Sequence, residues 1–311
     1  MHKGANAKVS VLINSFNGER YLKQAIESVY KQSFLDWEIV FIDNCSNDST
    51  SDIAKNYDHK LKYFKLDKNI SLGQARQFGI EKCKGRFIAF LDDDDFWETT
   101  KLEKQLKLFD KNSSLGLVYT DAIYFESSIK KFRLYEKRRN YVGKVFANFL
   151  VDYPLCLSSV MISKSSLKDP LICFNPILRV AEEFDVFLRI SLKWEVACIN
   201  EPLTYYRVHD QSLSSKNPEL FFHEMKIIFD SLKKNLFGND LISLNNGYQK
   251  LNESIAIYLW KNGDSLKARK KLWGNNFRLS SFILILFTFF PYFLIRKLYD
   301  YYLYIKIRLV I

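Results

Sequence analysis

Phe87-Ile88-Ala89-Phe90-Leu91-Asp92-Asp93-Asp94-Asp95-Phe96-Trp97 sets four consecutive carboxylates directly after an apolar run. The run has the length and composition of a buried strand, and the acids mark its end. Ionised neighbours at this spacing repel one another. Close to a core that repulsion is poorly screened, so each pKa rises unless a cation neutralises the group. Two readings are open at this point: a solvated acidic turn, or a site for a hard divalent cation such as Mg2+ or Mn2+, which prefers carboxylate oxygens.

Outward from this stretch, residues 8–121 alternate between short β-rich runs and segments of helical period. Strands are expected at 8–13, 38–42, 61–64, 86–91 and 115–119. Tyr21, Leu22, Ala25, Ile26 and Val29 recur at one-turn spacing, as do Leu102, Leu106 and Phe109. Ser49 with Asp52 has the pattern of a capping box opening a second helix. The alternation predicts an α/β fold with a mostly parallel sheet and helices on both faces. In such sheets ligands bind beyond the carboxyl ends of the strands. Asn14-Ser15-Phe16-Asn17, Asp43-Asn44 and Asp92 to Asp95 all fall there, on one rim.

Residues 122–180 are less regular and read as an excursion with one extended piece at 157–162. A helix at 182–192 and a strand at 195–199 follow. From about residue 221 the pattern is helical, with Ala256, Leu259, Gly263, Leu266 and Ala268 predicting two antiparallel helices joined at Asn262-Gly263-Asp264.

The chain has 311 residues, 48% hydrophobic and 26% charged, which fits one large or two modest domains. Its net charge of +11 is unevenly spread. From Lys250 to Ile311 eleven Lys and Arg face three acids, a net +8, which leaves +3 for the rest. This basic region surrounds Leu279 to Ile295, seventeen uncharged residues broken by Pro291 and followed by Tyr299, Tyr301, Tyr302 and Tyr304. The combination points to an anionic lipid surface and not to nucleic acid. An interfacial or re-entrant anchor, a full span and a helix packed on the protein's own body are all compatible with it, although about 20 residues are needed for a straight span. The five cysteines are scattered, with no Cys-x-x-Cys pair, which argues against a disulfide framework or zinc site. The polar N-terminus has no signal-peptide pattern, so the body is expected to fold in the cytoplasm, on the inner side of the cell membrane, as a peripheral or monotopic protein.

The successive stretches Lys8 to Asn17, Asp43 to Asp48, Gly73 to Gly79, Leu91 to Trp97, Glu182 to Arg189 and Glu201 to His209 together resemble the motifs of family 2 glycosyltransferases with the GT-A fold. The resemblance covers roughly residues 8–214. It implies a GT-A (Rossmann-like) domain, with residues 1–121 as its nucleotide-sugar-binding half and 122–220 as its acceptor-binding half. A helical extension at 221–278 and a membrane-associating tail at 279–311 complete the expected layout.

That resemblance implies inverting transfer of a sugar from a nucleotide diphosphate donor, foremost a UDP-sugar, with a divalent cation. Asp92 and Asp94 supply the spacing of two that places both side chains on one side of an extended chain. Asp94 would hold the cation, with Asp95 and His209 beside it, while Asp92 and Asp93 face the donor. Asn14, Ser15, Asn17, Asp43, Arg76 and Arg207 are further donor-site candidates. Asp43 can instead cap a turn, Arg76 can be a solvent-exposed side chain, and His209 can be structural. Gly73 and Gly79 are read as close-packing positions.

Inverting transfer needs a base on the acceptor hydroxyl. The family motif is usually Glu-Asp, and here it is Glu182-Glu183. Glu183 is therefore the expected base, with Glu182 the alternative. Asp185 and Arg189 have the spacing of a helix salt bridge, and Ser158 and Ser159 are candidates for the acceptor side. The family also often has Asp where this chain has Asn44.

Three functions compete. The first is a glycosyltransferase extending a saccharide, lipid-linked, in surface polysaccharide synthesis. The second is a catalytically degenerate homologue that binds nucleotide-sugar without transfer. The third, nucleotidyl transfer, is disfavoured because Asn14 to Gly18 lacks a basic, Gly-rich loop.

Overall fold

The computed structural model describes residues 7–126, 130–133, 139–209, 217–273 and 279–297, and the chain divides into two compact units, Met1–Glu224 and Met225–Ile311.

The first unit is built on a sheet whose first half is parallel. Strands β1 (Val9–Ser15), β2 (Trp37–Asp43) and β3 (Leu61–Lys65) pair in parallel, and β4 (Phe87–Asp92) joins on the other side of β1. Every residue of β1 and β2 is buried, as a parallel sheet covered on both faces requires. Odd-numbered residues of β1 (Val9, Val11, Ile13) pack with Leu22, Ala25, Ile26 and Val29 of α1 (Leu22–Tyr30), and with Leu102, Leu106 and Phe109 of α4 (Lys101–Lys111). On the opposite face lies α3 (Leu72–Lys82). A methyl group built on Gly79 of α3 would meet Leu12 Cδ1 at 2.3 Å, so helix and strand approach as closely as glycine allows. α6 (Glu182–Lys193) covers the same face, where its Phe187 meets the Phe90 ring at 5.6 Å.

Beyond β4 the direction changes. β8 (Met161–Ser163) runs antiparallel to both β4 and β6 (Leu115–Glu126). β9 (Glu195–Arg207) then pairs parallel with β6, β5 (Phe96–Trp97) pairs with β9, and β7 (Lys130–Arg133) forms a hairpin with β6. Four elements differ from expectation. β6 and β9 continue well past residues 119 and 199 because each supplies the other's backbone partners through two bulged irregularities. The expected extended piece at 157–162 is mostly a 3-10 turn, Leu157–Ser159, with the strand beginning only at Met161. α2 (Thr50–Lys55) has no side-chain cap from Ser49, whose N–H donates to Glu19 Oε2 while Asp48 Oδ1 accepts from Thr50 N–H. A true capping box opens α3 instead, between Ser71 and Gln74. α5 (Phe146–Phe149) is a single turn that buries Phe146 and Phe149.

α7 (Pro218–Lys233) runs across the division between the units. In the second unit, α8 (Gly238–Lys261) and α9 (Ser265–Leu272) meet at the expected turn. Gly263 there takes φ +88, and Asp264 Oδ1 accepts from Lys267 N–H to cap α9. α10 (Leu279–Phe287) follows, and Ile285 packs with Ala256, Trp260, Ala268 and Leu272. No described helix is long and apolar enough to cross a membrane. The expected aromatic residues Tyr299 to Tyr304 lie outside the described residues.

Candidate active site

The four acids diverge because the strand stops under them. β4 ends at Asp92, Asp93 and Asp94 form a turn, and Asp95 N–H donates back to Asp92 O at 3.2 Å. The expected strand alternation therefore does not bring Asp92 and Asp94 together; the turn does. Carboxylate oxygens of Asp92, Asp94 and Asp95 lie within 4.8 Å of one another. Asp93 alone turns away and accepts a hydrogen bond from Ser15 Oγ.

Each member of the cluster has its own support. Arg76 Nη2 reaches Asp92 at 3.0 Å. Asp95 is buried, accepting from Ser158 Oγ at 2.6 Å and from Arg207 N–H at 2.8 Å. Asp94 Oδ2 lies 2.7 Å from His209 Nε2, and its backbone carbonyl accepts from Arg207 Nε at 2.8 Å. Arg207 is in turn held by Gln24 and lies 4.0 Å from the Tyr21 ring centre. Ser158 and Ser159, the candidates for the acceptor side, are both buried, and Ser158 is bonded to the acidic cluster. Ser158 Oγ also accepts from Asp92 N–H, and Ser159 Oγ donates to Cys156 O.

Burial raises the pKa of Asp92 to about 6, with Arg76 opposing and Asp94 adding to the rise. Burial also raises Asp93 to about 7, and burial followed by the charges of Asp94 and Asp92 lifts Asp95 well above the carboxylate range. An all-oxygen cluster that the protein itself leaves under-neutralised fits a hard divalent cation.

Arg76 is not a solvent-exposed side chain. It is 4% exposed, and its Nη1 lies 2.5 Å from Glu182 Oε1 and 3.4 Å from Glu183 Oε2. Burial lowers its pKa, but Asp92, Glu182 and Glu183 outweigh that and leave it raised. The inward-facing member of the Glu pair is Glu182, packed under Gly73 of α3, whereas Glu183 keeps part of its surface open. Burial, only partly offset by Arg76, raises Glu183 to about 8. Asp185 and Arg189 form the expected pair at 2.7 Å.

On the β1 and β2 side of the rim, Asp43 is fully buried. Its Oδ1 accepts from Ser46 N–H at 2.7 Å and its Oδ2 from Tyr63 O–H at 2.6 Å. Asn44 ties the same loop to Ile70. Asn17, at φ 56, accepts from Asn47 N–H. Asn14 sits opposite Asp92 in the β1–β4 register, and both amide atoms of its side chain are buried without a partner among the described residues.

Sequence reasoning did not single out Tyr63 or Glu224. Glu224 accepts from the N–H groups of Arg179, Val180 and Ala181, directly ahead of the Glu pair. Nothing in the local sequence marks that role, because donor and acceptor are more than forty residues apart.

A parallel sheet that turns antiparallel beside a rim of clustered carboxylates has the layout of a GT-A domain. Residues 10–169 match the profile of Glycosyl transferase family 2, and the chain belongs to that family as a GT-A glycosyltransferase. A Bacillus subtilis protein provisionally named teichuronic acid biosynthesis glycosyltransferase TuaG is 39% identical over 108 residues, 34% of this chain and 43% of that one. Among solved structures, S. aureus TarS 1-349 in complex with UDP aligns with TM-score 0.63 at 22% identity, covering 84% of this chain and 75% of that one. The mannosyltransferase PcManGT of Pyrobaculum calidifontis, in complex with GDP-Man and Mn2+, aligns with TM-score 0.63 at 13% identity, covering 91% and 79%.

Proposed function

We propose that this glycosyltransferase moves a sugar, with inversion, from a nucleotide diphosphate donor, foremost a UDP-sugar, to a hydroxyl of a lipid-linked saccharide in surface polysaccharide synthesis. The observation that carries the chemistry is the convergence of Asp92, Asp94 and Asp95 on the rim, with Arg76 linking Asp92 to the Glu183 side. The complexes of TarS with UDP and of PcManGT with GDP-Man and Mn2+ support a nucleotide-linked donor and a cation.

Asp94, Asp95 and His209 would hold Mn2+ or Mg2+, which as a Lewis acid stabilises negative charge on a departing diphosphate. Asp92 and Asp93 bound the donor side. Asn14 supplies a buried amide with unmet hydrogen-bonding capacity, which a polar ligand would satisfy. Ser15, Asn17 and Asp43 shape the nucleotide end of the rim, and Arg207 closes it over Asp94. Glu183 takes the proton from the acceptor hydroxyl as the new bond forms, and Arg76 holds it in place.

The lipid part of this reading rests on the second unit. Phe282, Ile283, Leu286 and Phe287 of α10 and the following Phe289, Phe290 and Phe293 are exposed, and the neighbouring α9 carries Lys267, Arg269, Lys270 and Lys271. Apolar rings beside a basic helix suit an anionic bilayer surface on the cytoplasmic side.

The direct test follows sugar release from a panel of nucleotide-sugars with Mn2+ for wild type and Asp94→Ala. A fall of about 100-fold or more is expected for the variant. Undiminished turnover would remove the cation role. Donor binding by wild type without turnover against any acceptor would favour the degenerate, binding-only reading. A thermal-shift screen across nucleoside diphosphates with Mn2+ identifies the base.

A further inference from the structure

We propose that Glu224 is a positioning residue for the transfer: its carboxylate anchors the backbone that leads into α6 and so sets where the Glu183 carboxylate stands. The inference rests on the transferase reading above and adds to it a residue that acts on the base from a different helix.

The Glu224 carboxylate is engaged on both oxygens. The residue is 2% exposed, its Oε1 accepts from Arg179 N–H at 2.8 Å, and its Oε2 accepts from Val180 N–H and Ala181 N–H, each at 2.9 Å. Three successive main-chain N–H groups turned onto one anion fix the backbone of all three residues. Ala181 is also the cap of α6, where its C=O accepts from Asp185 N–H at 3.2 Å, and alanine has no side-chain oxygen to cap the helix itself. The entry to α6 is therefore held from α7.

A helix that needed only a cap would be served by Ser, Thr, Asp or Asn at position 181. Such a cap bonds N–H groups of the first turn and leaves the incoming chain free. Glu224 grips residues 179–181 ahead of the helix instead.

The same segment is tied down further back. Phe174 N–H donates to Gln77 Oε1 at 3.1 Å, and a methyl group built on Gly73 would meet Asn175 O at 3.3 Å, so residues 174–175 lie against α3. α3 also carries Arg76, which reaches Glu183 Oε2 at 3.4 Å. Glu183 stands in the first turn of α6, two positions after Ala181. Arg76 thus holds the Glu183 carboxylate by one long contact, and Glu224 fixes the main chain from which that side chain springs. A displacement of about 1 Å at a reacting group can cost about 100-fold in rate, so slack in residues 179–181 is felt at the proton transfer and not in donor binding.

The test uses the full chain with Mn2+ and a panel of UDP-hexoses and UDP-N-acetylhexosamines, with UDP release as the signal and water as the sugar acceptor. Glu224→Gln keeps the size of the side chain but replaces one accepting oxygen with an NH2 group that faces N–H donors. It should lower kcat about 10- to 100-fold, with UDP affinity and donor KM within about twofold of wild type. In a Glu183→Gln background the same change should cost less than about twofold, because the group that it misplaces is gone. Amide hydrogen exchange, which needs no substrate, should quicken at residues 179–181 in the variant. If Glu224→Gln does not fold, Glu224→Asp, which draws the oxygens back by about a bond length, carries the same comparisons. Equal fold-losses in the wild-type and Glu183→Gln backgrounds, an unchanged kcat, or unchanged exchange overturns the proposal. No UDP release by wild type from any donor would instead strike the transferase reading itself.

Discussion

Arg76 is the residue on which the charges of the site balance. Its guanidinium is buried among Asp92, Glu182 and Glu183, and these carboxylates come from a strand end and a helix start. Removing one partner of a buried ionic set leaves the others uncompensated, so Arg76→Leu should lose roughly 3–5 kcal/mol in chemical denaturation. A loss below about 1 kcal/mol would show that solvent already screens the trio. Glu183 leads to a second expectation. A base must be ionised, and its carboxyl titrates at about 8 instead of 4.5, so kcat/KM should climb with pH and level off above about 8. The sign for folding is opposite. Between 4.5 and about 8 the native state holds a proton that the unfolded chain has released, so this group's contribution to stability declines as pH rises through that window. Glu183→Gln should lower turnover by about 10²–10⁴-fold and flatten both profiles. A wild-type rate independent of pH between about 7 and about 9, roughly one unit either side of the titration, would exclude Glu183 as the base.

At the scale of elements, the site is made by where strands and helices stop. The apolar run 87–91 was legible as a strand and the acids as its end, since burial of both faces demands an uninterrupted apolar segment. The convergence of Asp92, Asp94 and Asp95 was not legible, because it depends on a turn closed by Asp95 N–H to Asp92 O. The same limit appears at the helix caps. Ser49 and Ser71 both offer a capping pattern, but the Glu19 carboxylate from another loop takes the Ser49 N–H, and only Ser71 caps its helix. Close approach of elements also sets a cost. A Cβ at Gly85 would fall 2.5 Å from Ser10 N and 2.8 Å from Val9 C, both main-chain atoms that cannot swing aside. Gly85→Ala should therefore shift the start of β4 against β1 and destabilise by about 1–3 kcal/mol, measured by thermal unfolding. An unchanged midpoint would mean that the β1–β4 register tolerates the displacement.

Across the whole molecule, charge and apolar surface are segregated. The excess positive charge lies from Lys250 onward, and the exposed phenylalanines of α10 and the segment after it lie in that same region. Deleting residues 279–311 should abolish co-flotation with vesicles containing about 30% anionic lipid, while vesicles of neutral lipid should bind wild type weakly. Equal flotation of the full-length and shortened chains would refute the lipid-facing role. Here the sequence by itself determined a good deal: an α/β order of elements, an acidic rim at the strand ends, helices at the C-terminal end and a basic, aromatic surface. Periodicity, strand ends and charge are local properties of the chain, readable within a few residues. Only the tertiary structure decided that Arg76 binds Glu182 and Glu183, that Ser158 is bonded to the acids, and that Glu224 holds the backbone ahead of α6. Those contacts join residues up to 107 positions apart, and their partners are chosen by strand register and helix packing, which no local pattern encodes.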